Sequence, residues 1–232
     1  MNEMPVAPIP ESNPSPLQIW GKALTKPSEQ TFEEIASSPN AKASTAYLWI
    51  FIASLIQMFL VAIIQSSLIG SYASQYGFGD TFGNRGLGSV LIGAICGAPI
   101  LAALTTLFFA IGVFVVQWIA RMFGGTGTTD RLAYSLASIV APFSIITGIL
   151  TLFSAIPFVG LCISGLLTIA GIYVLVLEAM AVKAVNRFSW GAAFGSLLIP
   201  GLIIGLLCAC LVGGLFALLA PAIRNAVPTF TP

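Results

Sequence analysis

The sequence predicts an all-α, polytopic membrane protein: a bundle of five transmembrane helices. Three observations carry this expectation. Hydrophobic residues make up 57% of the chain and charged residues 7%, where a soluble domain would have about a quarter charged. The mean hydropathy is +0.99. The few charges fall in short clusters between apolar runs that reach the roughly 20 residues a bilayer crossing requires.

Residues 1–43 read as a cytoplasmic tail. Its start, through Pro16, is proline-rich and polar, without periodicity. Pro5, Pro8, Pro10 and Pro14 interrupt it and no apolar core follows, so a cleavable signal is not expected and the first span should be an uncleaved anchor. Two short amphipathic pieces come next. Leu17, Ile19, Trp20 and Leu24 give the first an apolar side. In the second, Thr31 and Glu34 have capping-box spacing with Thr31 as the cap, and Phe32 and Ile35 share a face. This segment reads either as a linker resting on lipid headgroups or as a docking element for a protein partner.

Residues 44–220 form the membrane domain. Its spans are expected near Ser44–Ile69, Leu87–Ala120, Leu132–Phe153, Phe158–Val182 and Ala192–Ala220. Gly70–Gly86, with Asp80 and Arg85, is expected to be a linker, and Ser154–Pro157 a tight turn. Residues 221–232 are then a short external tail. Lysine and arginine set the orientation. With the N-terminus inside, Lys22, Lys26, Lys42, Arg121, Arg131, Lys183 and Arg187 face the cytoplasm, against Arg85 and Arg224 outside. Trp49, Trp118, Tyr134 and Trp190 fall near the inner interface, as aromatic belts do.

Composition also excludes function classes. A net charge of +1 leaves no basic stripe for nucleic acid. The chain has no histidine, hence neither the commonest general base nor the commonest metal ligand. Cys96, Cys162, Cys208 and Cys210 lie in apolar runs without zinc or disulfide spacing and read as small hydrophobes. No cofactor is expected.

Glu178 is the ionisable residue set well inside a span, and an intramembrane carboxylate is a functional candidate. It lies five residues before Lys183, roughly 140° away around the helix, so Lys183 is a poor partner. Arg121 or Arg131 is nearest by topology. The alternative is a structural carboxylate near the inner interface. The run Gly124-Gly125-Thr126-Gly127-Thr128-Thr129-Asp130 lacks the ending of a phosphate-binding P-loop. It reads as a turn in which Thr128, Thr129 or Asp130 caps the third span. Pro99, Pro142 and Pro200 lie inside spans, as kinks or as the broken helices of a transport site. The pairs Gly93 and Gly97, Gly191 and Gly195, and Gly201 and Gly205 have the spacing that lets helices pack closely, within the chain or between copies.

The stretch Gly124–Gly195 resembles the Yip domain, the membrane domain of the Ypt/Rab-interacting proteins and their prokaryotic relatives. The match is the glycine-rich turn, a span with the central Ala141-Pro142-Phe143, and a span ending in Leu177-Glu178-Ala179-Met180-Ala181-Val182-Lys183-Ala184-Val185-Asn186. It continues through Phe188-Ser189-Trp190-Gly191-Ala192-Ala193 to Ile199-Pro200. Trp20, the run from Lys26 to Phe32, and Pro39-Asn40 are similar to the leader of bacterial members. Many members carry an Arg-Glu-Val-His-like segment where this chain has Lys183-Ala184-Val185-Asn186. The resemblance implies five spans and a cytoplasmic N-terminus. Eukaryotic relatives bind small GTPases in vesicle traffic, from a longer cytosolic segment than this chain has.

The expectation is therefore a non-enzymatic, Yip-like protein of a bacterial cytoplasmic membrane that organises protein partners or lipids. A protein partner would engage the N-terminal segment, and homo- or hetero-oligomers fit the glycine spacings. The competing reading is a small transporter, channel or lipid-translocating protein using Glu178 and the proline-broken spans.

Overall fold

A computed structural model of the chain describes residues 14–75, 87–156, 158–203, 206 and 210. All regular structure among them is helical. Helix α1 is Pro16–Thr25, α2 Glu29–Ser37, α3 Ala43–Gln75, α4 Leu87–Met122, α5 Thr129–Thr151 and α6 Val159–Asn186. A 3-10 turn, Leu152–Ala155, joins α5 to α6, and a shorter apolar helix, α7, covers Trp190–Ile203. Among the described residues, four stretches are long and apolar enough to cross a membrane: Ala43–Ala62, Ile95–Met122, Thr129–Ser154 and Val159–Asn186. The fifth expected span is described only in its first part, as α7. Gly205, most of 204–220 and the tail 221–232 lie outside the described residues, as do 1–13 and 76–86 with Asp80 and Arg85.

Helix starts follow local chemistry. Ser15 caps α1 in a complete capping box with Gln18, and Pro16 takes the first helical position. The cap of α2 is Ser28 rather than Thr31, and Glu34 forms no box with it. Ser28, directly after Pro27, is extended and accepts from the Thr31 backbone N–H at 3.1 Å, so the helix begins before Thr31. The Thr31 hydroxyl then donates to the Lys26 carbonyl. Thr128 caps α5, one of the three caps expected. Asp130, in the first turn of α5, accepts from the Ala43 backbone N–H at 3.2 Å. One carboxylate thus sits at two positive helix ends. Helix α3 runs on to Gln75, past the Gly70 where a linker was expected. No proline interrupts Gly70–Gln75, and lipid tolerates glycine within a helix.

Pro99 and Pro142 lie inside continuous helices, and Pro200 within the helical segment after Trp190. Hydroxyls within the spans bond back to their own helices. Ser138, Ser144, Thr147, Ser164 and Thr168 each donate to a carbonyl three or four residues earlier, at 2.7–2.9 Å.

Helix α5 is central. It packs on α3, α6 and, more lightly, on α1, α2 and α4. Its Ala133, Ala137 and Ala141 are buried at four-residue spacing, so small side chains let the neighbours approach closely. The glycine pairs do not mark these seams. A Cβ on Gly97, Gly191 or Gly201 would meet nothing within 4 Å, while one on Gly195 would lie 3.5 Å from Phe123. The intramolecular packing expected of the first three is therefore not seen among the described residues. The close glycine approach is at Gly148, against Gln57 and Leu60 of α3.

The core is concentrated at one end of the bundle, where Arg121, Arg131, Lys183 and Arg187 lie; we call it the basic end. A single cluster there joins Ala46, Trp49 and Ile50 of α3, Val113 and Val116 of α4, Leu132 to Ala141 of α5 and Val174 to Val185 of α6. Ile19 and Ala23 of α1 and Phe32, Ile35 and Ala36 of α2 belong to the same cluster. The amphipathic N-terminal helices thus turn their apolar faces into the protein. Toward the far end the side chains face outward, as Leu161, Ile169, Ile100 and Phe108 do.

Candidate functional site

Two polar assemblies meet at the basic end. The first is built on the glycine-rich turn between α4 and α5. Gln117, near the end of α4, and Asn186, the last residue of α6, are both 1% exposed. Gln117 Nε2 donates to the Gly127 carbonyl at 2.8 Å and to Asn186 Oδ1 at 2.9 Å. The Gly127 N–H donates to Asn186 Oδ1 at 3.2 Å. Asn186 Nδ2 donates to Gln117 Oε1 at 3.3 Å and to the Val182 carbonyl at 3.1 Å. Asn186 so makes all four bonds its amide can form, and the Thr126 N–H adds a bond to its backbone carbonyl. The glycines are required by this closeness. A Cβ on Gly127 would stand 2.7 Å from Val185 Cγ1 and 2.8 Å from Asn186 Oδ1; one on Gly125 would stand 2.7 Å from Asn186 Oδ1. The turn is a clasp that ties three helix ends together.

The second assembly docks α1 and α2. Lys183, on the last turn of α6, forms an ion pair with Glu29 of α2 and lies 4.7 Å from the centroid of the Trp190 ring. It thereby joins α2, α6 and the start of α7. Lys22 of α1 pairs with Glu34 of α2. The Tyr173 hydroxyl of α6 donates to the Leu24 carbonyl at the end of α1, at 2.9 Å. Trp20 packs edge-on to Trp49, 5.7 Å between centroids, and Trp49 lies against Tyr134 at 4.8 Å. Trp20 Nε1 and Ser135 Oγ are buried without a hydrogen-bond partner among the described atoms.

Arg121 and Arg131 are exposed, and neither pairs with Glu178 among the described residues. The expected partnership fails because both arginines turn to the surface while Glu178 is half-buried on α6. Arg187 caps α6 in the left-handed region, φ 55°, and shares a shallow polar groove with Gln30, Glu33, Glu34 and Ser37. Among the described residues no group of histidine, cysteine and carboxylate side chains could hold a metal ion. The site offers binding and bracing chemistry: the charged residues of α1 and α2, with Arg187 beside α2, the exposed Arg121 and Arg131, and a saturated amide clasp.

Sequence reasoning singled out Lys183, Arg187, Asp130 and the glycine run, which the structure gathers at this end. It missed Gln117. The signal was present, since Gln117 is the lone amide in the apolar run from Leu87 to Met122.

The Yip1 domain family profile matches residues 21–212 of the chain. No curated protein and no solved structure matches it.

Proposed function

Since the chain belongs to the Yip1 domain family, we propose that this multi-span membrane protein works without catalysis, organising protein partners or lipids through its basic end. One observation supports the reading above the rest. The span hydroxyls of Ser138, Ser144, Thr147, Ser164 and Thr168 are consumed by their own backbones, Ser135 being the exception, and Gln57 donates to Thr147 at 3.4 Å, whereas the charged groups among the described residues collect at the basic end. A transporter needs free polar groups at the midplane. The proposal places the chain in a bacterial cytoplasmic membrane with five spans and the N-terminus inside. The lysine and arginine bias and the bacterial-type leader support that placement.

Purified protein in liposomes is expected to conduct no ions. Glu178 lacks an ion-pair partner among the described residues, and that favours the transport reading as the competitor. Flux through the full-length protein that Glu178→Ala abolishes would establish transport instead. Partner binding is tested on the exposed face of α2. Gln30→Arg with Glu33→Arg should remove co-purifying proteins in mild detergent while stability changes by about 0.5 kcal/mol or less, as surface substitutions do. Unchanged recovery would move the interaction to Arg121–Arg131 or Lys183–Arg187.

The five-span topology has its own check. Single cysteines at Ser12 and Phe230, in a chain lacking Cys96, Cys162, Cys208 and Cys210, should label from opposite sides of the membrane. Labelling of both from one side would require an even number of spans.

A further inference from the structure

We infer that the elbow between α1 and α2, Thr25–Ser28, is seated in the lipid headgroup layer on the N-terminal side, with Lys26 against lipid phosphates. The inference needs only the membrane-spanning fold, and its failure leaves the proposed partner role untouched.

Helix α6 has 28 residues, about 42 Å at 1.5 Å per residue. The hydrocarbon core is about 30 Å thick. The excess emerges at the basic end, because the turn at the far end is apolar and exposed at Phe153, Ile156 and Phe158. Counted from Val159, the hydrocarbon is crossed after roughly 20 residues, at the level of Glu178, the first charge on the helix.

The elbow brackets that level: Leu24, before it, is bonded by Tyr173, about 7.5 Å deeper along α6, and Glu29, after it, pairs with Lys183, about 7.5 Å nearer the basic end. The bond from Tyr173 to the Leu24 carbonyl hangs the end of α1 beside the middle of α6. The Asn186 clasp lies 13 residues further on, about 20 Å along the helix. The exposed surface of α6 changes at the same height. Ile169 and Ile172 are more than 60% exposed, Leu175 and Val176 37%, and from Leu177 onward no large apolar side chain of α6 is exposed.

Charge fixes the direction of the remaining choice. Helices α1 and α2 with their elbow carry Lys22, Lys26, Glu29, Glu33 and Glu34. Raising the hydrocarbon to the level of Lys183 would submerge Glu178, Lys26 and the Lys183–Glu29 pair, which is strongly unfavourable. Lys22 and Glu29 are held in ion pairs, whereas Lys26 is exposed and makes none among the described residues. An unpaired ammonium at the hydrocarbon boundary matches the phosphate of a lipid in the adjoining leaflet, and anionic lipids strengthen that attraction.

The test uses the full chain without native cysteines, in vesicles of phosphatidylcholine mixed with phosphatidylglycerol. An environment-sensitive fluorophore is attached at Thr25→Cys, with Lys26 intact, and in a second protein at Ser37→Cys on the exposed end of α2. The probe at 25 should be quenched by lipids bearing a shallow nitroxide and resist aqueous iodide several-fold better than the probe at 37. Adding Lys26→Glu should reduce the lipid quenching at 25. Equal iodide quenching at both positions would overturn the seating, and so would a probe at 25 shielded from iodide and lipid alike. Lipid quenching unchanged by Lys26→Glu would overturn the phosphate contact.

Discussion

Asn186→Leu is expected to destabilise the protein by roughly 2–5 kcal/mol, since an unmade buried hydrogen bond costs about 1–3 kcal/mol for each group left without a partner. The substitution strands the Gly127 N–H and one Gln117 Nε2 N–H, both of which point at Asn186 Oδ1, and takes the donor from Gln117 Oε1, while the other Nε2 N–H keeps the Gly127 carbonyl. Leucine has the same number of side-chain heavy atoms and the same branching, and is bulkier, so no cavity is left. Adding Gln117→Leu should recover part of the loss, because removing both partners of a buried bond is cheaper than removing one. Gly127→Ala should approach the same damage from the other side, by overpacking worth about 1–3 kcal/mol. All are read from thermal unfolding in detergent. An Asn186→Leu protein as stable as the parent would mean that the clasp does not hold the three helix ends.

Phe32→Ala should cost about 3–5 kcal/mol, the usual range for a buried phenylalanine. Phe32 is 0% exposed, in the cluster shared with α5 and α6. Glu29→Gln offers the contrast. Its carboxylate is 48% exposed, and pairs of that kind contribute about 0–1 kcal/mol. Limited proteolysis at the link 38–42 should follow the same order, fast in Phe32→Ala and near parental in Glu29→Gln. It also follows that deleting residues 1–38 removes part of the core, so the shortened chain should be less stable. A domain that kept full stability without residues 1–38 would refute the packing of α2 as integral.

Much of the fold was legible because local physics decides it. Apolar run length found each of the four described spans, and Thr128 was among the three caps expected because a threonine ahead of an apolar run has few other roles. The hydroxyls of Ser138, Ser144, Thr147, Ser164 and Thr168 behaved as their helical setting dictates, and Ser135 did not. What stayed hidden was long-range. Asn186 and Gln117 are 69 positions apart, and nothing in either neighbourhood names the other. The amphipathic pattern of α2 located Phe32 and Ile35 on one face without saying what covers it. Glycine spacing did not mark the seams within the chain at Gly97, Gly191 or Gly201, where buried alanines on α5 serve instead. Loop proximity suggested an arginine for Glu178, but proximity in sequence does not orient a side chain. Ser28 displaced Thr31 as the α2 cap because Pro27 holds the chain extended just before it.

The burial of α2 against α5 and α6 also sets a timetable. Phe32 and Ile35 leave the ribosome early, yet Leu177, Val182 and Val185, which join them in the core, are made about 150 residues later. At about 5–20 residues per second, translation takes on the order of 8–30 s to cover that distance. Throughout that interval the apolar face of α2 has no finished core to enter. A chain stalled before Val159 would have α5 but not α6, leaving that face half covered and open to proteases and chaperones. The completion of α6 is therefore the step that ends the vulnerability of the N-terminus during biogenesis.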